Sequence, residues 1–126
     1  MLLVPVRLAP SPIHGLGVFT QVAIARGTEV WRFMPGLDLD LDPAILGTLP
    51  AHMREVLTHY GYVDLRLGRL ILCSDDARFM NHSERANTAS DTSADPYGVD
   101  IAVRDIAPGE ELTTDYTSFE GQRPGM

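Results

Sequence analysis

Glycine and proline are spread along the whole chain, with 11 and 9 copies among 126 residues. Because both residue types favour turns and interrupt regular helices, this distribution predicts many short elements rather than a helical bundle. The length suits one domain with one core, so we expect a single domain over residues 1–126. The predicted fold class is mostly β, with a small helical insert.

Apolar residues alternate with polar ones in several short runs, which is the pattern of half-buried β-strands. A hairpin is expected around Gly68, because the alternation continues on both sides of it. The polar residues 87–97 are instead expected to form an exposed loop. The strands predicted from the alternation lie at residues 2–8, 18–20, 29–33, 63–72, 99–103 and 112–116.

The helical insert is predicted over about residues 43–59. Asp42 followed by Pro43 is typical of a helix start, because the aspartate accepts a hydrogen bond and proline fits the first turn. A second helix is expected from Pro50, where apolar residues follow the i, i+3, i+4, i+7 spacing of an amphipathic helix. These residues are Met53, Val56, Leu57 and Tyr60.

The formal net charge of −7 argues against direct binding to nucleic acid, because phosphate recognition needs clustered Lys and Arg. It favours encounter with basic, Lys-rich protein partners, although the charge taken alone is better explained by a need for solubility. No apolar run approaches a membrane span, and the chain does not begin like a signal peptide. Cys73 is the single cysteine, which excludes an internal disulfide and makes a cytoplasmic setting the expectation.

Two segments carry residues suited to binding a polar ligand. In His14-Gly-Leu-Gly-Val-Phe19, two glycines flank Leu16, which permits positive φ and close approach of the backbone to a ligand. In Arg78-Phe-Met-Asn-His-Ser83, the adjacent Asn81 and His82 offer several hydrogen-bonding groups. Taken singly, each segment is better explained as an ordinary turn.

A third segment, Gly109-Glu-Glu-Leu-Thr-Thr-Asp-Tyr116, follows a Pro-Gly turn and ends in an aromatic hydroxyl. Glu110 and Glu111 are expected to be solvated turn residues. Tyr116 taken alone would be a core tyrosine with a satisfied hydroxyl. The chemical meaning of this segment therefore depends on the other two.

In their order and spacing, the three segments closely resemble the SET domain family of protein-lysine methyltransferases, over about residues 6–119. The resemblance implies a β-clip fold of small sheets with a C-terminal pseudoknot, in which residues 78–83 and 112–116 cross. It also implies S-adenosylmethionine-dependent methyl transfer to the side-chain amine of lysine in a protein substrate. A catalytically silent module that binds S-adenosylmethionine or a basic peptide is the alternative.

The family's pattern also implies roles for individual residues of this chain. Tyr116 would be the catalytic tyrosine, with S-adenosylmethionine as the cofactor. Phe119 would cover the adenine. The cofactor-binding residues carried over in this way are His14, Gly15, Leu16, Gly17, Asn81, His82, Tyr116 and Phe119.

The chain departs from the family's pattern in two places. After Asn-His-Ser it continues Glu84-Arg-Ala-Asn87, where only Asn87 matches the family. The tail, residues 117–126, has no cysteine, so we expect no zinc there and another group must close the lysine channel. Phe119 could do so, as could a second copy of the chain in a homodimer.

Methyl transfer to lysine needs the neutral amine, whereas free lysine, with a pKa of about 10.4, is mostly protonated at neutral pH. A narrow apolar channel and a nearby sulfonium both lower the amine's pKa, so no strong protein base is obligatory. Aromatic side chains suit such a channel because they pack along the lysine stem and attract its cation. The candidates are Tyr60, Tyr62 and Tyr97, each of which could equally be an ordinary half-buried tyrosine.

Other residue clusters give weaker signals. The four histidines show no zinc-protease spacing, and no metal site is expected. Asp38, Asp40 and Asp42 alternate with leucines, which could indicate calcium, but the glycine and terminal glutamate of an EF-hand do not follow. A solvated strand edge is the preferred interpretation.

Overall fold

The computed structural model describes residues 1–93 and 95–116 of the chain. Within these residues, short strands form three small sheets, as the glycine and proline spacing predicts. The mostly β fold with a helical insert is therefore confirmed. The strands are β1 (Val6–Pro10), β2 (Leu16–Thr20), β3 (Glu29–Arg32), β4 (Leu39–Leu41), β5 (Tyr62–Asp64), β6 (Arg69–Leu72), β7 (Asn81–His82), β8 (Thr88–Asp91), β9 (Val99–Ala102) and β10 (Glu111–Thr114).

The helical insert consists of a 3-10 helix (Pro43–Thr48) and helix α1 (Ala51–Tyr60), close to the predicted range. Contrary to its amphipathic pattern, α1 buries none of its residues, and Met53 and Val56 are 45% and 52% exposed. The first part of the apolar stripe of α1 therefore borders open space, whereas Leu57 and Tyr60 are half-buried and the Tyr60 ring contacts Phe79. Within the described residues, no helix is long and apolar enough to cross a membrane.

The first sheet has the strand order β1–β2–β10–β7, so the last strand lies between strands formed much earlier in the chain. β10 is antiparallel to β2 and parallel to β7, and the parallel register puts Thr113 beside Asn81 and Thr114 beside His82. Because parallel strands cannot be joined by a tight turn, the intervening chain crosses through another sheet. The predicted crossing of residues 78–83 with 112–116 is confirmed.

The other two sheets have the orders β3–β9–β8 and β4–β6–β5. The polar stretch 87–97, expected as an exposed loop, contains β8, and Asn87 and Thr88 are each only 2% exposed. That expectation is wrong for residues 87–91, because Asn87 and Thr88 are buried and hydrogen-bond to β10, whereas Thr92, Ser93 and Pro96 are exposed and lie outside the strands. The Thr88 hydroxyl donates to the carbonyl of Thr113 at 2.8 Å.

Two apolar clusters fill the space between the sheets. Val18 and Leu112, cross-strand partners in β2 and β10, are fully buried in the larger cluster. Their burial fixes β10 against β2, and thereby fixes where Tyr116 emerges just beyond the strand. The smaller cluster contains Trp31, Phe33, Ile71 and Cys73.

Candidate active site

A wide cleft of about 1010 Å³ runs between the glycine turn after β1, helix α1 and the start of β7. Most of the residues predicted to bind the cofactor line it, although they come from three distant parts of the sequence. Those residues are His14, Gly15, Leu16, Asn81, His82 and Tyr116. Gly17 does not line the cleft, and Phe119 lies outside the described residues.

The two glycines of the turn have different physical roles. Gly15 has a φ of +46°, and a Cβ added there would meet no atom within 4 Å, so its backbone borders open space. A Cβ added to Gly17 would lie 2.3 Å from Oε2 of Glu111. Gly17 therefore allows a carboxylate to approach the backbone from behind the turn, instead of allowing a ligand to approach from the cleft.

The side chains of Asn81 and Glu111 hold the glycine turn in place. The Asn81 amide nitrogen donates to the carbonyl oxygens of His14 and Leu16, both at 3.1 Å, and to Oε2 of Glu111 at 2.8 Å. The Ser11 hydroxyl donates to Oε1 of Glu111 at 2.7 Å. The prediction that Glu111 is a solvated turn residue is therefore wrong, because its carboxylate accepts hydrogen bonds from two sides.

Glu110, the neighbouring carboxylate, does belong to the turn before β10. The backbone N–H of Ala107 donates to its Oε1 at 3.0 Å, and Arg104 donates to its Oε2 at 3.0 Å. These hydrogen bonds, the one from Ala107 first, lower the pKa of Glu110 below its ordinary value. The two adjacent glutamates thus face different surroundings, one at the turn and one behind the cleft.

Tyr116 is held by residues of the segment that it crosses. Its backbone N–H donates to Nδ1 of His82 at 3.1 Å, and its hydroxyl donates to the carbonyl oxygen of Met80. The centres of the His82 and Tyr116 rings are 5.2 Å apart. Since Asn81 and His82 pair with β10, the parallel register of β7 and β10 brings all three predicted residues together.

A second, much smaller cavity of about 40 Å³ is also lined by Tyr116. All four tyrosines of the chain line it, namely Tyr60, Tyr62, Tyr97 and Tyr116. Tyr60, Arg78, Met80 and Tyr116 line both the cleft and this cavity. Tyr116 therefore lies at the junction between a wide space and a narrow, aromatic one.

Tyr97 faces the cavity with its ring, while its hydroxyl is used elsewhere. The ring stacks on Phe33 with centres 3.9 Å apart, and the hydroxyl donates to Asp40. That hydrogen bond raises the pKa of Tyr97. Asp40 also accepts from Arg69 at 2.6 Å, and its pKa is lowered, by Arg69 first. Tyr97 is thus a rigid wall of the cavity.

The alternating aspartates 38–42 do not form a solvated edge. Asp38 is buried and accepts hydrogen bonds from the backbone N–H groups of Met34 and Ser74, at 2.9 and 3.1 Å. Asp42 caps the 3-10 helix by accepting from the N–H of Ala44 at 3.0 Å. Among residues 1–93 and 95–116, no group of three His, Cys, Asp or Glu side chains is arranged to hold a metal ion.

Sequence reasoning missed several polar residues of the small cavity, among them Trp31, Asp100 and Thr114. Asp100 lies in the alternating run of β9, where its polar side chain indicated the solvent face of the strand. In the structure that face lines the cavity, and burial raises the pKa of Asp100 to about 7.

Comparison with known proteins gives one family. The family model described as SET domain matches residues 15–117, which is most of the chain. A search of curated protein sequences found no match. Among solved structures, the fold is similar to that of a candidate histone methyltransferase from Plasmodium falciparum, at 18% identity and a TM-score of 0.62. That match covers 90% of this chain and 93% of the other.

Two structures of Polycomb Repressive Complex 2 are similar as well. A humanized mutant of the Chaetomium thermophilum complex, bound to the inhibitor GSK126, matches at 21% identity with a TM-score of 0.63. An apo form of ctPRC2 with mutations matches at 23% identity with a TM-score of 0.65. Each match covers 94% of this chain but only 16% of the larger chain. At these identities, the likeness shows a shared fold.

Proposed function

Because the chain belongs to the SET domain family, we propose that it transfers a methyl group from S-adenosylmethionine to the side-chain amine of lysine in a protein. The family match and the fold shared with histone methyltransferases support methyl transfer in general. One observation carries the finer proposal of lysine as the acceptor. Tyr116 lies where a cleft large enough for a cofactor meets a narrow cavity lined by tyrosines.

The cleft suits S-adenosylmethionine in size and in its polar groups. Its volume of about 1010 Å³ is at the upper end of ordinary small-molecule sites. The open space beside Gly15 leaves the turn backbone accessible to the amino acid part of the cofactor. Asn81 and His82 border the same cleft and would contact the amino acid and adenine parts. When bound, the cofactor supplies a methyl group on a positively charged sulfur.

The residues at the junction would align the lysine amine and keep water away. The amine must lie roughly 3–3.5 Å from the methyl carbon and in line with the bond that breaks. The Tyr116 hydroxyl, fixed by the Met80 carbonyl, would orient the amine from the side of the cavity. The rings of Tyr60, Tyr62 and Tyr97 would pack along the lysine stem, and desolvation there favours the neutral amine.

The protein substrate is proposed to be basic. The formal net charge of −7 attracts Lys-rich segments over distances of about 10 Å at moderate salt. A cytoplasmic protein with an exposed lysine in a basic stretch fits both the charge and the narrow cavity. The charge steers encounter, whereas the cavity selects the unbranched amine side chain.

Labelled methyl transfer tests this proposal. The wild-type protein and Tyr116→Phe are incubated with S-adenosylmethionine carrying a labelled methyl group and a panel of basic proteins. We expect label on lysine with the wild type and a loss of at least roughly 10²-fold with Tyr116→Phe, since alignment at the reacting atoms is lost. Calorimetry should show that both proteins bind the cofactor.

Two results would count against the proposal in different ways. If neither protein binds S-adenosylmethionine, the proposed function is wrong. If both bind it and no protein in the panel is labelled, the chain is a silent module that binds cofactor without turnover.

A further inference from the structure

The small cavity contains two buried polar atoms that have no hydrogen-bond partner. They are the indole Nε1 of Trp31 and the hydroxyl Oγ1 of Thr114, and each residue is only 4% exposed. Both residues line the cavity. Buried polar groups in folded proteins are nearly always satisfied, because leaving one without a partner costs free energy. Two residues with such atoms therefore line one cavity, and a ligand that reached those atoms would satisfy them.

A carboxyl group faces the same cavity. Asp100 lies in β9 between its cross-strand partners Trp31 in β3 and Ser90 in β8. Its side chain makes no hydrogen bond or ion pair with another residue in the described ranges 1–93 and 95–116. Burial raises the pKa of Asp100 to about 7, while the amino group of Met1 acts in the opposite direction. The cavity therefore holds a carboxylate without a counter-charge in contact with it.

The chemistry of these three groups selects the kind of ligand. An ammonium group donates several hydrogen bonds and carries the positive charge that Asp100 needs. The Thr114 hydroxyl oxygen can accept from it, and the Trp31 ring attracts cations. The volume of about 40 Å³ holds such a head group with a water molecule that accepts from the indole N–H. A neutral or anionic head group would leave the carboxylate uncompensated.

We propose that the end of the cavity formed by Trp31, Asp100 and Thr114 binds a cationic amine head group, with the Asp100 carboxylate as its counter-charge. The inference rests on the proposed function in naming a protein lysine as the natural occupant. Asp100 then attracts the ammonium form of lysine as it enters the cavity, before desolvation and the nearby sulfonium favour the neutral amine that Tyr116 aligns. The binding of simple amines is a separate property that does not need methyl transfer.

Apart from Asp100, the titratable groups that line the cavity do not explain a change in amine binding near neutral pH, and the amino group of Met1, which acts on Asp100 without lining the cavity, is unchanged in Asp100→Asn. Phenols and guanidinium groups keep their charge between pH 5 and 8, and burial raises the pKa of Cys73 to about 12. Amine binding should therefore strengthen as the pH rises through the pKa of Asp100, because the carboxylate is the form that attracts the cation. The other groups of this kind that line the cavity are Tyr60, Tyr62, Cys73, Arg78, Tyr97 and Tyr116.

Trp31 gives a direct readout, because it is the only tryptophan of the chain and lines the cavity. Its fluorescence is followed while the protein is titrated with methylammonium, and separately with methanol, at constant ionic strength. The wild type is compared with Asp100→Asn and Thr114→Val. Asp91→Asn is the matched control, since it removes the same charge from the same sheet but outside the cavity.

We expect the wild type and Asp91→Asn to bind methylammonium, with affinity that rises from pH 5 to pH 8, and to bind methanol much more weakly. Asp100→Asn should bind the amine at least about tenfold more weakly and without pH dependence, since a charge-assisted contact is lost. Thr114→Val should bind it several-fold more weakly. Equal affinity of wild type and Asp100→Asn, or equal affinity for amine and methanol, would overturn the proposal.

The same proteins separate this inference from the proposed function. Asp100 does not line the cleft, so calorimetry with S-adenosylmethionine should give the same affinity for the wild type and Asp100→Asn. If the wild type does not bind the cofactor, the proposed methyltransferase function is wrong, but the amine titration can still be interpreted. If methyl transfer occurs but simple amines do not bind, only the proposed amine site is wrong.

Discussion

Thr113 and Thr114 are neighbours in β10, both are buried, and they lie in opposite surroundings. The Thr113 hydroxyl accepts from the N–H of Asn87 at 3.1 Å, and the Thr113 carbonyl accepts from Thr88. Thr114 lines the cavity together with Trp31, and its buried hydroxyl has no hydrogen-bond partner. On one face of β10, the polar groups are hydrogen-bonded in a network at the β7–β10 crossing, which we call the satisfied network. On the other face, Thr114 lines a cavity and its hydroxyl has no hydrogen-bond partner.

The difference separates structural polar groups from those suited to a ligand. In the satisfied network, each hydrogen bond joins segments distant in sequence and holds Tyr116 in position. Removing a partner there leaves a buried group orphaned and destabilises the fold. In the cavity, the polar groups already lack hydrogen-bond partners. Removing one of them should therefore change the free energy of unfolding little and should instead weaken ligand binding. The predictions below test this contrast, beginning with the largest effect.

Asn87 should be the most sensitive residue of the satisfied network. Its amide donates to the Glu111 carbonyl at 2.8 Å and accepts from the Thr113 N–H at 2.9 Å. Asn87→Ala leaves both backbone groups buried without partners, so we expect a loss of roughly 3 kcal/mol in the free energy of unfolding. Urea denaturation measures it, with Ser83→Ala as a control that should lie within about 0.5 kcal/mol of wild type. A loss below about 1 kcal/mol for Asn87→Ala would contradict the proposed difference between the satisfied network and the cavity.

Gly17 should affect cofactor binding in the cleft, although it does not line the cleft. A Cβ there clashes with Glu111, which must then release Ser11 and Asn81 and disturb the turn that Asn81 holds. We expect Gly17→Ala to weaken S-adenosylmethionine binding by about tenfold, or about 1.4 kcal/mol, in calorimetry. Gly47→Ala, where no atom lies within 4 Å of the added Cβ, should leave the affinity unchanged. Unchanged affinity in Gly17→Ala would mean that the turn does not shape the cofactor site.

The adjacent threonines give the sharpest comparison. Thr113→Val removes a partnered hydroxyl and should cost about 1–2 kcal/mol, whereas Thr114→Val removes an unpartnered one and should be neutral or slightly stabilising. Urea denaturation of the two variants under identical conditions measures the difference. Similar losses for both would show that the Thr114 hydroxyl has a partner in solution.

Asp100 should make the folded protein less stable as the pH rises. The unfolded carboxyl has its ordinary pKa of about 3.9, and burial raises the folded value to about 7. The folded state therefore holds the proton more tightly, and the contribution of Asp100 to stability falls as the pH rises from about 4 through 7. Below pH 4 the group is protonated in both states and this contribution no longer changes.

The Asp100→Asn variant should remove that fall. Its melting temperature should exceed that of the wild type at pH 8 by on the order of 10 °C, because a shift of about three pKa units corresponds to about 4 kcal/mol, and the difference should shrink towards pH 4. Thermal denaturation across this range is the measurement, with Asp91→Asn again as the control. A difference independent of pH would indicate that Asp100 has a near-ordinary pKa in the folded protein.

The sequence predicted the parts of the fold that local patterns determine. Alternation located most of the strands, and Asp42-Pro43 marked the start of the helical insert. The joint pattern of the three segments, read as a family resemblance, placed residues 78–83 against 112–116, which local propensity could not do.

The sequence could not predict which polar side chains are covered by other parts of the chain. Glu111 was expected to be solvated and instead supports the glycine turn, and nothing in the local pattern indicated that Asp100 lines a cavity. Met53 and Val56 in α1 looked core-facing and are exposed. In each case, packing between distant segments decided the outcome, and no local pattern records it.

The central claim is that the cleft and the tyrosine-lined cavity meet at Tyr116 as cofactor and lysine sites. A crystal structure of the protein with S-adenosylhomocysteine, the product of methyl transfer, tests it most directly. The account predicts the ligand in the cleft, its amino acid part against residues 14–16 and its sulfur facing the Tyr116 hydroxyl. A ligand bound elsewhere, or with its sulfur turned away from Tyr116, would contradict the account.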